Sequence, residues 1–274
     1  MDVLGGIVTF NPDISLLMSC VEALVRTCKQ VVIIDNGSLN VKEVMSFSSN
    51  KIYIVDNKAN LGIAKALNQI FEFARESGFE WVLTLDQDTI IPDIILCEAE
   101  KLIKLDDHIG VVCPRIHDVI SGETWPKAND STKLIYVNRC ITSGSVNSVR
   151  AWEKIGGFDE YLFIDEVDHD FCYRLNKNGF KICLANNLVI DHKLGETQVR
   201  KVFGKKMYIR NHSAFRKYYI CRNIVYLSRK FYGKVRLDAI VHVLAFTGKT
   251  ALFEKEKAKK FAACVRGIRD GIRG

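Results

Sequence analysis

The chain has nine cysteines but no CxxC pair and no Cys/His spacing of the kind that binds zinc. The odd count and the scatter favour free thiols in a reducing compartment, and a structural zinc site is not expected. There is no run of 18 uninterrupted apolar residues. The nearest candidate, LDAIVHVLAFTGKTALF, carries Asp238, His242 and Lys249, which argues against a spanning helix. MDVLGGIVTF has neither a basic leader nor a long apolar core, so no signal peptide is expected. Acidic residues are missing altogether from Thr197 to Leu237.

That last absence is half of a charge asymmetry. Residues 1–196 hold 19 Lys and Arg against 28 Asp and Glu, a net of −9. Residues 197–274 hold 20 against 4, a net of +16. A basic third behind an acidic body points to an anionic partner: phosphates, nucleic acid or a membrane surface. With 274 residues, 48% of them apolar and 26% charged, the chain is a folded protein of one large domain or two small ones.

Continuous apolar runs alternate with helical periodicity. Val3–Phe10, Val31–Asn36, Lys51–Asn57, Trp81–Leu85 and Gly110–Pro114 read as strands. Helices are expected near 14–28, 63–77 and 92–104. Strands that are apolar throughout imply a parallel sheet covered on both faces, and such sheets bind ligands at the carboxyl ends of their strands. Those ends carry Thr9-Phe10-Asn11, Asp35-Asn36 and Asp86-Gln87-Asp88. After about residue 115 the pattern becomes short strands with a Gly-containing bend, then an acidic cluster, a short helix and another strand. From about Arg200 a basic, aromatic, helical tail is expected.

Asp86 and Asp88 end an otherwise apolar strand two residues apart. Positions i and i+2 of a strand share a side. Like charges held together raise one another's pKa unless a cation lies between them, and carboxylate oxygens suit Mg²⁺ or Mn²⁺. The competing reading is that Asp88 or Thr89 caps the next helix. Asp35 is placed either to accept the imide N–H of a uracil or thymine ring or to organise its Asp-Asn-Gly turn. NKANLGIAKALN opens a helix whose first N–H groups would face phosphate, or else are capped by Asn60.

VTFNP, VVIIDNGS, NLGIAKALNQ, LTLDQD, SGSVNS, GGFDEYLFIDEVDHDFCYRLNKNG and VIDHKLG occur in that order. Together they resemble the family-2 nucleotide-sugar glycosyltransferases of the GT-A fold. Within that family they are similar to bacterial rhamnosyltransferases of surface-polysaccharide assembly. The resemblance covers about residues 3–195, and HSAFRKYYICRNIVYLSRKF in the tail is similar to the same subgroup. It implies an α/β, Rossmann-like, mostly parallel sheet flanked by helices. The catalytic domain would span 1–196, with a nucleotide-binding half of about 1–114 and an acceptor half of about 115–196. A basic, aromatic, helical region would follow over 197–274.

The resemblance also implies roles. Thr9, Asn11, Asp35, Asn60, Lys65 and Gln87 would bind the nucleotide sugar. Asp86 and Asp88, joined by His192, would hold a divalent cation, Mg²⁺ or Mn²⁺, on the diphosphate. Arg222 would close over the pyrophosphate. Ser143, Gly144 and Asp170 would line the sugar or acceptor pocket. Asp168, six positions before Arg174, would be the base of an inverting transfer, taking the acceptor hydroxyl proton. If the stretch from Val167 is helical, Asp170 and Arg174 pair at i,i+4.

The donor expected from the subgroup is dTDP-L-rhamnose, with UDP-linked hexoses as the alternative. The acceptor expected is a saccharide on polyprenyl diphosphate. The aromatic and basic tail, FRKYYICRNIVYLSRKFYGKVR, would then sit on an anionic membrane surface, placing the enzyme peripherally on the cytoplasmic side of the plasma membrane. A nucleic-acid partner is not expected, because no helix-turn-helix or RNP-like signature accompanies the basic third. A nucleotidyltransferase would need a Gly-rich basic loop near the N-terminus, and FNPDIS offers none.

Overall fold

The computed structural model describes residues 1–127, 134–192, 197–202 and 205–274, with the backbone alone for 192–210. These residues form two compact units: residues 1–161 with 167–192, and residues 162–166 with 193–274.

The first unit runs β1 (Val3–Thr9), α1 (Ile14–Thr27), β2 (Gln30–Asp35), α2 (Val41–Met45), β3 (Ile52–Asp56), α3 (Ile63–Glu76), β4 (Trp81–Asp86) and α4 (Ile95–Ile103). It continues with β5 (Ile109–Asp118), β6 (Thr124–Trp125), β7 (Tyr136–Val137), β8 (Ser145–Ser148), α5 (Val149–Lys154), α6 (Val167–Lys177) and β9 (Lys181–His192). The sheet order is β3-β2-β1-β4-β8-β5-β9-β7, with β6 pairing β5. β3, β2, β1 and β4 are parallel to one another, as are β5 and β9.

The expected fifth parallel strand does not lie beside the fourth. β8 lies between them, antiparallel to both. The fold is that of a mostly parallel α/β sheet, with one reversed strand at its centre.

Helices cover both faces. A methyl group on Gly5 would meet Leu24 of α1 at 3.1 Å, whereas one on Gly6 would meet Ile70 of α3 at 2.5 Å. Adjacent strand residues point to opposite faces, so α1 and α3 lie on opposite sides of β1. The missing side chain at Gly6 lets α3 approach closely. Leu17, Leu24, Ile33, Leu83 and Ile95 are fully or almost fully buried in the same apolar cluster. At about 1.5–3 kcal/mol per large side chain withdrawn from water, this layer is the main stabiliser of the unit. α1 begins where Asp13 accepts the N–H groups of Ser15 and Leu16, which satisfies donors that the first turn leaves unpaired. The nine cysteines form no disulfide.

The second unit differs from the sequence expectation at its start. β10 (Thr197–Val202) and β11 (Lys205–Arg210) form an antiparallel pair. In KKMYIR only Met207 and Ile209 keep a strand spacing, and TQVRKV has no alternation, so the high lysine and arginine content left no strand period to read. Helices follow: α7 (Ala214–Tyr232), capped by Ser213 and ended by a left-handed Gly233, then α8 (Leu237–Phe253) and α9 (Lys257–Arg273). Lys217 of α7 is 1% exposed, and its ammonium meets Glu254 at 2.5 Å and Thr250 at 3.0 Å. Lys260 shares that carboxylate at 3.3 Å. Buried charges persist when they are paired in this way, and the network ties the end of α8 and the start of α9 to α7.

Of the aromatic residues of α7, Tyr218, Tyr219, Tyr226 and Phe231 are half-buried, while Phe215 and Tyr232 are 54 and 50% exposed. Tyr219 stacks on Phe163 at 4.9 Å, and Cys221, Arg222, Asn223 and Val225 are buried. No helix among the described residues is long and apolar enough to cross a membrane.

Candidate active site

The register of the parallel strands sets a polar rim. Thr9 pairs with Asp35, Asp35 with Asp56, and Val8 with Asp86. Within that rim Asp35 is fully buried. Its Oδ2 accepts Thr9 Oγ1 at 2.8 Å and Ser38 Oγ at 2.5 Å, and its Oδ1 accepts the N–H groups of Gly37 and Ser38 at 3.1 and 2.8 Å. Four donors use the acceptor capacity of a carboxylate. Asp35 and Thr9 therefore build the turn after β2. Of the two readings open for Asp35, the turn is the one with hydrogen bonds in this structure. Asn11 joins the same turn, its Oδ1 accepting the Leu39 N–H at 2.7 Å.

Asn60 accepts the Gly62 N–H at 3.0 Å and lies exposed ahead of α3, which has no side-chain cap. Lys65 lies one turn into α3 and meets Glu160 at 3.1 Å. This half-exposed ion pair is worth little in stability, so it can be exchanged for another anion at small cost.

The end of β4 is stapled to the loop before β8. The Asp86 N–H donates to Ser143 Oγ at 3.0 Å, and Ser143 Oγ donates to Thr89 Oγ1 at 2.9 Å. The Gly144 N–H donates to the Thr84 carbonyl at 2.8 Å. Gln87 ties β4 to β1, accepting the Phe10 N–H at 2.9 Å. Asp86 is half-buried and Asp88 is exposed.

Gly144 has φ +77°, and a Cβ there would meet Ile190 Cδ1 at 2.4 Å. Gly144→Ala is expected to destabilise the protein by about 1–3 kcal/mol, from left-handed strain plus the clash. A urea midpoint unchanged from wild type would show that the loop can move without cost.

The same loop reaches the acidic helix. Asp168, half-buried in the first turn of α6, accepts both the hydroxyl and the backbone N–H of Thr142. Burial pushes its pKa up to about 6 and the Asp86 carboxylate adds to the rise, while His169 and the Thr142 hydrogen bonds oppose it. Asp86 and Asp168, 82 residues apart in sequence, thus share one electrostatic site. A half-buried carboxylate with a pKa near 6 is suited to take up a proton at neutral pH.

Asp170, two residues on, is fully buried. Arg174 Nε donates to it at 2.7 Å and its terminal nitrogen lies at 2.6 Å. The i,i+4 pair forms, and it directs Asp170 into the body of α6. A cavity of about 450 Å³ lies beside this helix, lined by Trp125, Arg139, Cys140, Ile141, His169 and Leu184.

Arg222 is 7% exposed and works inside the second unit. It donates to Asn223 Oδ1 at 2.9 Å and to the Leu162 carbonyl at 3.1 Å. His192 ends β9, and its side chain lies outside the described residues. Among the described residues no group of three or more His, Cys, Asp or Glu side chains could hold a metal ion. β4 ends at Asp86 and Asp88 lies in the turn after it, so the shared strand side expected for the pair does not apply, although their donor chemistry still suits a hard divalent cation. Both offer carboxylate oxygen, and such ions keep waters and substrate phosphate oxygens as their remaining ligands. Thr142 and Ser38 carry several of these hydrogen bonds, and no spacing in the sequence singles them out.

A mostly parallel sheet with a carboxylate rim at its strand ends, and a second carboxylate on a helix, is the arrangement of an α/β protein that binds its ligand at the carboxyl ends of the strands. The chain belongs to glycosyl transferase family 2, which matches residues 6–181, and it is a glycosyltransferase. It is similar to the dTDP-rhamnosyl transferase RfbF of Shigella flexneri, at 28% identity over 100% of this chain and 96% of that one. Among solved structures it is similar to TarS 1-349 of S. aureus, with a TM-score of 0.64 at 14% identity, covering 99% of this chain and 81% of that one. The structure of GalNAc-T7 with UDP, GalNAc and Mn²⁺ has a TM-score of 0.62 at 14% identity, covering 95% and 53%.

Proposed function

We propose that the chain is an inverting transferase that moves L-rhamnose from dTDP-L-rhamnose to a saccharide carried on polyprenyl diphosphate. It would act peripherally at the cytoplasmic face of an anionic membrane. The observation that carries the reaction type is the half-buried Asp168, with its pKa raised to about 6 beside Asp86. The choice of donor is supported by full-length similarity to a dTDP-rhamnosyl transferase.

In the reaction the acceptor hydroxyl oxygen bonds to the anomeric carbon as the bond from that carbon to the diphosphate oxygen breaks. Asp168 takes the hydroxyl proton, and the electron pair leaves with the nucleoside diphosphate. A divalent cation, when bound by Asp86 and Asp88, offsets the charge that develops on the leaving diphosphate. Thr142 orients Asp168 through its two hydrogen bonds. The Ser143 bond to the Asp86 N–H holds the two acids in one frame. We place the acceptor sugar in the 450 Å³ cavity beside His169, where the 38% exposed Trp125 offers an aromatic face.

A UDP-hexose is the second reading, supported by the likeness to TarS, a structure of which holds UDP-GlcNAc. The two separate in one assay: nucleoside diphosphate release from dTDP-rhamnose and from UDP-hexoses, with Mg²⁺, Mn²⁺ or EDTA. Release from dTDP-rhamnose, stopped by EDTA, is expected. Turnover confined to UDP-sugars would overturn the rhamnose assignment, and full turnover in EDTA would remove the cation.

A further inference from the structure

Among the described residues of the second unit, an exposed apolar stripe runs along α8. Leu237, Ile240, Val241, Leu244 and Leu252 are 75, 41, 57, 60 and 66% exposed. At ~100° per residue they fall within one arc of about 120°, and Gly248 and Ala251 fill its gaps with no charged residue. The side of the helix that flanks this arc is committed inward: Val243, Thr247 and Thr250 are buried. Monomeric proteins rarely leave so long an apolar stripe in water without a partner.

The ends of the stripe are basic. Lys234 and Arg236 precede it and Lys255, Lys257 and Lys259 follow it, all exposed, with Asp238 and Glu256 the exposed acids in that stretch. We infer that this face of α8 lies in the plane of an anionic lipid surface, its leucines below the headgroups and its terminal lysines and arginines among them.

Charge decides between lipid and a second copy of the chain. A two-fold pair is self-complementary. Antiparallel pairing of two α8 helices would set Lys234 and Arg236 against Lys255, Lys257 and Lys259 of the other copy, and parallel pairing would set each cluster against itself. Either arrangement opposes like charges, whereas a bilayer containing phosphatidylglycerol meets both ends with anions. An apolar face with basic flanks is also the pattern of helices that lie in a membrane interface. The inference rests on the proposed peripheral location, and it names the surface that would make it.

The test is flotation of the full chain with vesicles of phosphatidylcholine alone or mixed with phosphatidylglycerol, together with light scattering of the protein in solution. Wild type is expected to float with the anionic vesicles and much less with the neutral ones. Val241→Asp with Leu244→Asp, both at exposed positions, is expected to lower anionic binding at least about tenfold. Melting temperature and hydrolysis of free donor should stay unchanged. Lys255→Glu with Lys257→Glu is expected to lower binding to anionic vesicles only.

Equal flotation with both lipids overturns the anionic assignment. Undiminished binding by the aspartate pair overturns the α8 assignment. A wild-type dimer that ignores vesicles and is dissolved by the same pair would give the face to a second copy. Donor turnover is measured separately, so failure of the transferase reading would leave the flotation result standing.

Discussion

Asp168→Asn is expected to lower turnover about a thousandfold, the usual worth of a positioned general base, while the nucleotide sugar still binds. In the wild type, kcat/KM should fall about tenfold per pH unit below about 6, because the base acts only when deprotonated and its pKa is about 6. The variant should lose that limb along with the rate.

The same substitution carries a stability signature of opposite sign. Asp168 is raised from 3.8 to about 6, so the folded protein holds this proton more tightly than the unfolded chain does. That contribution is fully present below about pH 4 and is lost as the pH rises through 6. Asparagine never ionises, so the variant should be more stable than wild type at pH 7–8, by about 1–2 kcal/mol after allowance for solvent at the half-buried site. The difference should close near pH 4. Thermal melts at the two pH values, beside a turnover assay, test both halves. Retained turnover would move the base elsewhere.

Asp86→Asn should be nearly as damaging, for two separable reasons. It removes a candidate cation ligand, which is expected to cost about 10²–10³ in kcat/KM through lost stabilisation of the leaving group. It also removes the like charge that helps raise Asp168. The residual activity should therefore show its acid limb below pH 6, since a carboxylate relieved of a neighbouring carboxylate ionises more readily. A residual profile still centred at 6 would mean that burial alone sets the pKa. A variant as fast as wild type and indifferent to EDTA would leave Asp86 outside the chemistry.

The strands on one side of the sheet were legible because they are apolar along their whole length. VVIID is buried almost throughout, and no helix period competes with it. β8 falls in the stretch read as short strands around a Gly-containing bend, but its position in the sheet was hidden for the opposite reason. It reads SVNS, and Ser145 and Asn147 are 0 and 1% exposed. Asn147 is satisfied by the Ser145 carbonyl at 2.8 Å and Thr84 Oγ1 at 3.1 Å. A strand built from internally bonded polar residues carries no hydrophobic period, so its place between β4 and β5 could not be read.

The candidate site divides in a similar way. The carboxylates stand out in the sequence because charge at the end of an apolar run is conspicuous. Their supports do not. Thr142 is separated from Asp86 by 56 residues, and Lys65 from Glu160 by 95. For Asp35, spacing alone could not choose between a base contact and a turn, and the hydrogen bonds favour the turn. For the tail, composition gave the sign of the charge. It did not reveal that α8, beyond the aromatic α7, carries an exposed apolar stripe.

Residues 162–166 lie between segments of the first unit in sequence but fold with the second. Phe163, Asp165 and Glu166 all have positive φ, a conformation that costs side-chain-bearing residues about 1 kcal/mol or more each. The Asn223 amide holds this segment by donating to the carbonyls of Leu162, Ile164 and Asp165 at 2.8, 2.8 and 2.9 Å, and Arg216 grips the Asp165 carboxylate at 2.8 Å. These five residues run directly into α6 and Asp168. The two units are therefore not interchangeable cassettes. A chimera that borrows the C-terminal unit of a relative must borrow residues 162–166 with it, and a chain cut after β9 would keep the whole sheet yet lose the clamp on the segment that leads into α6.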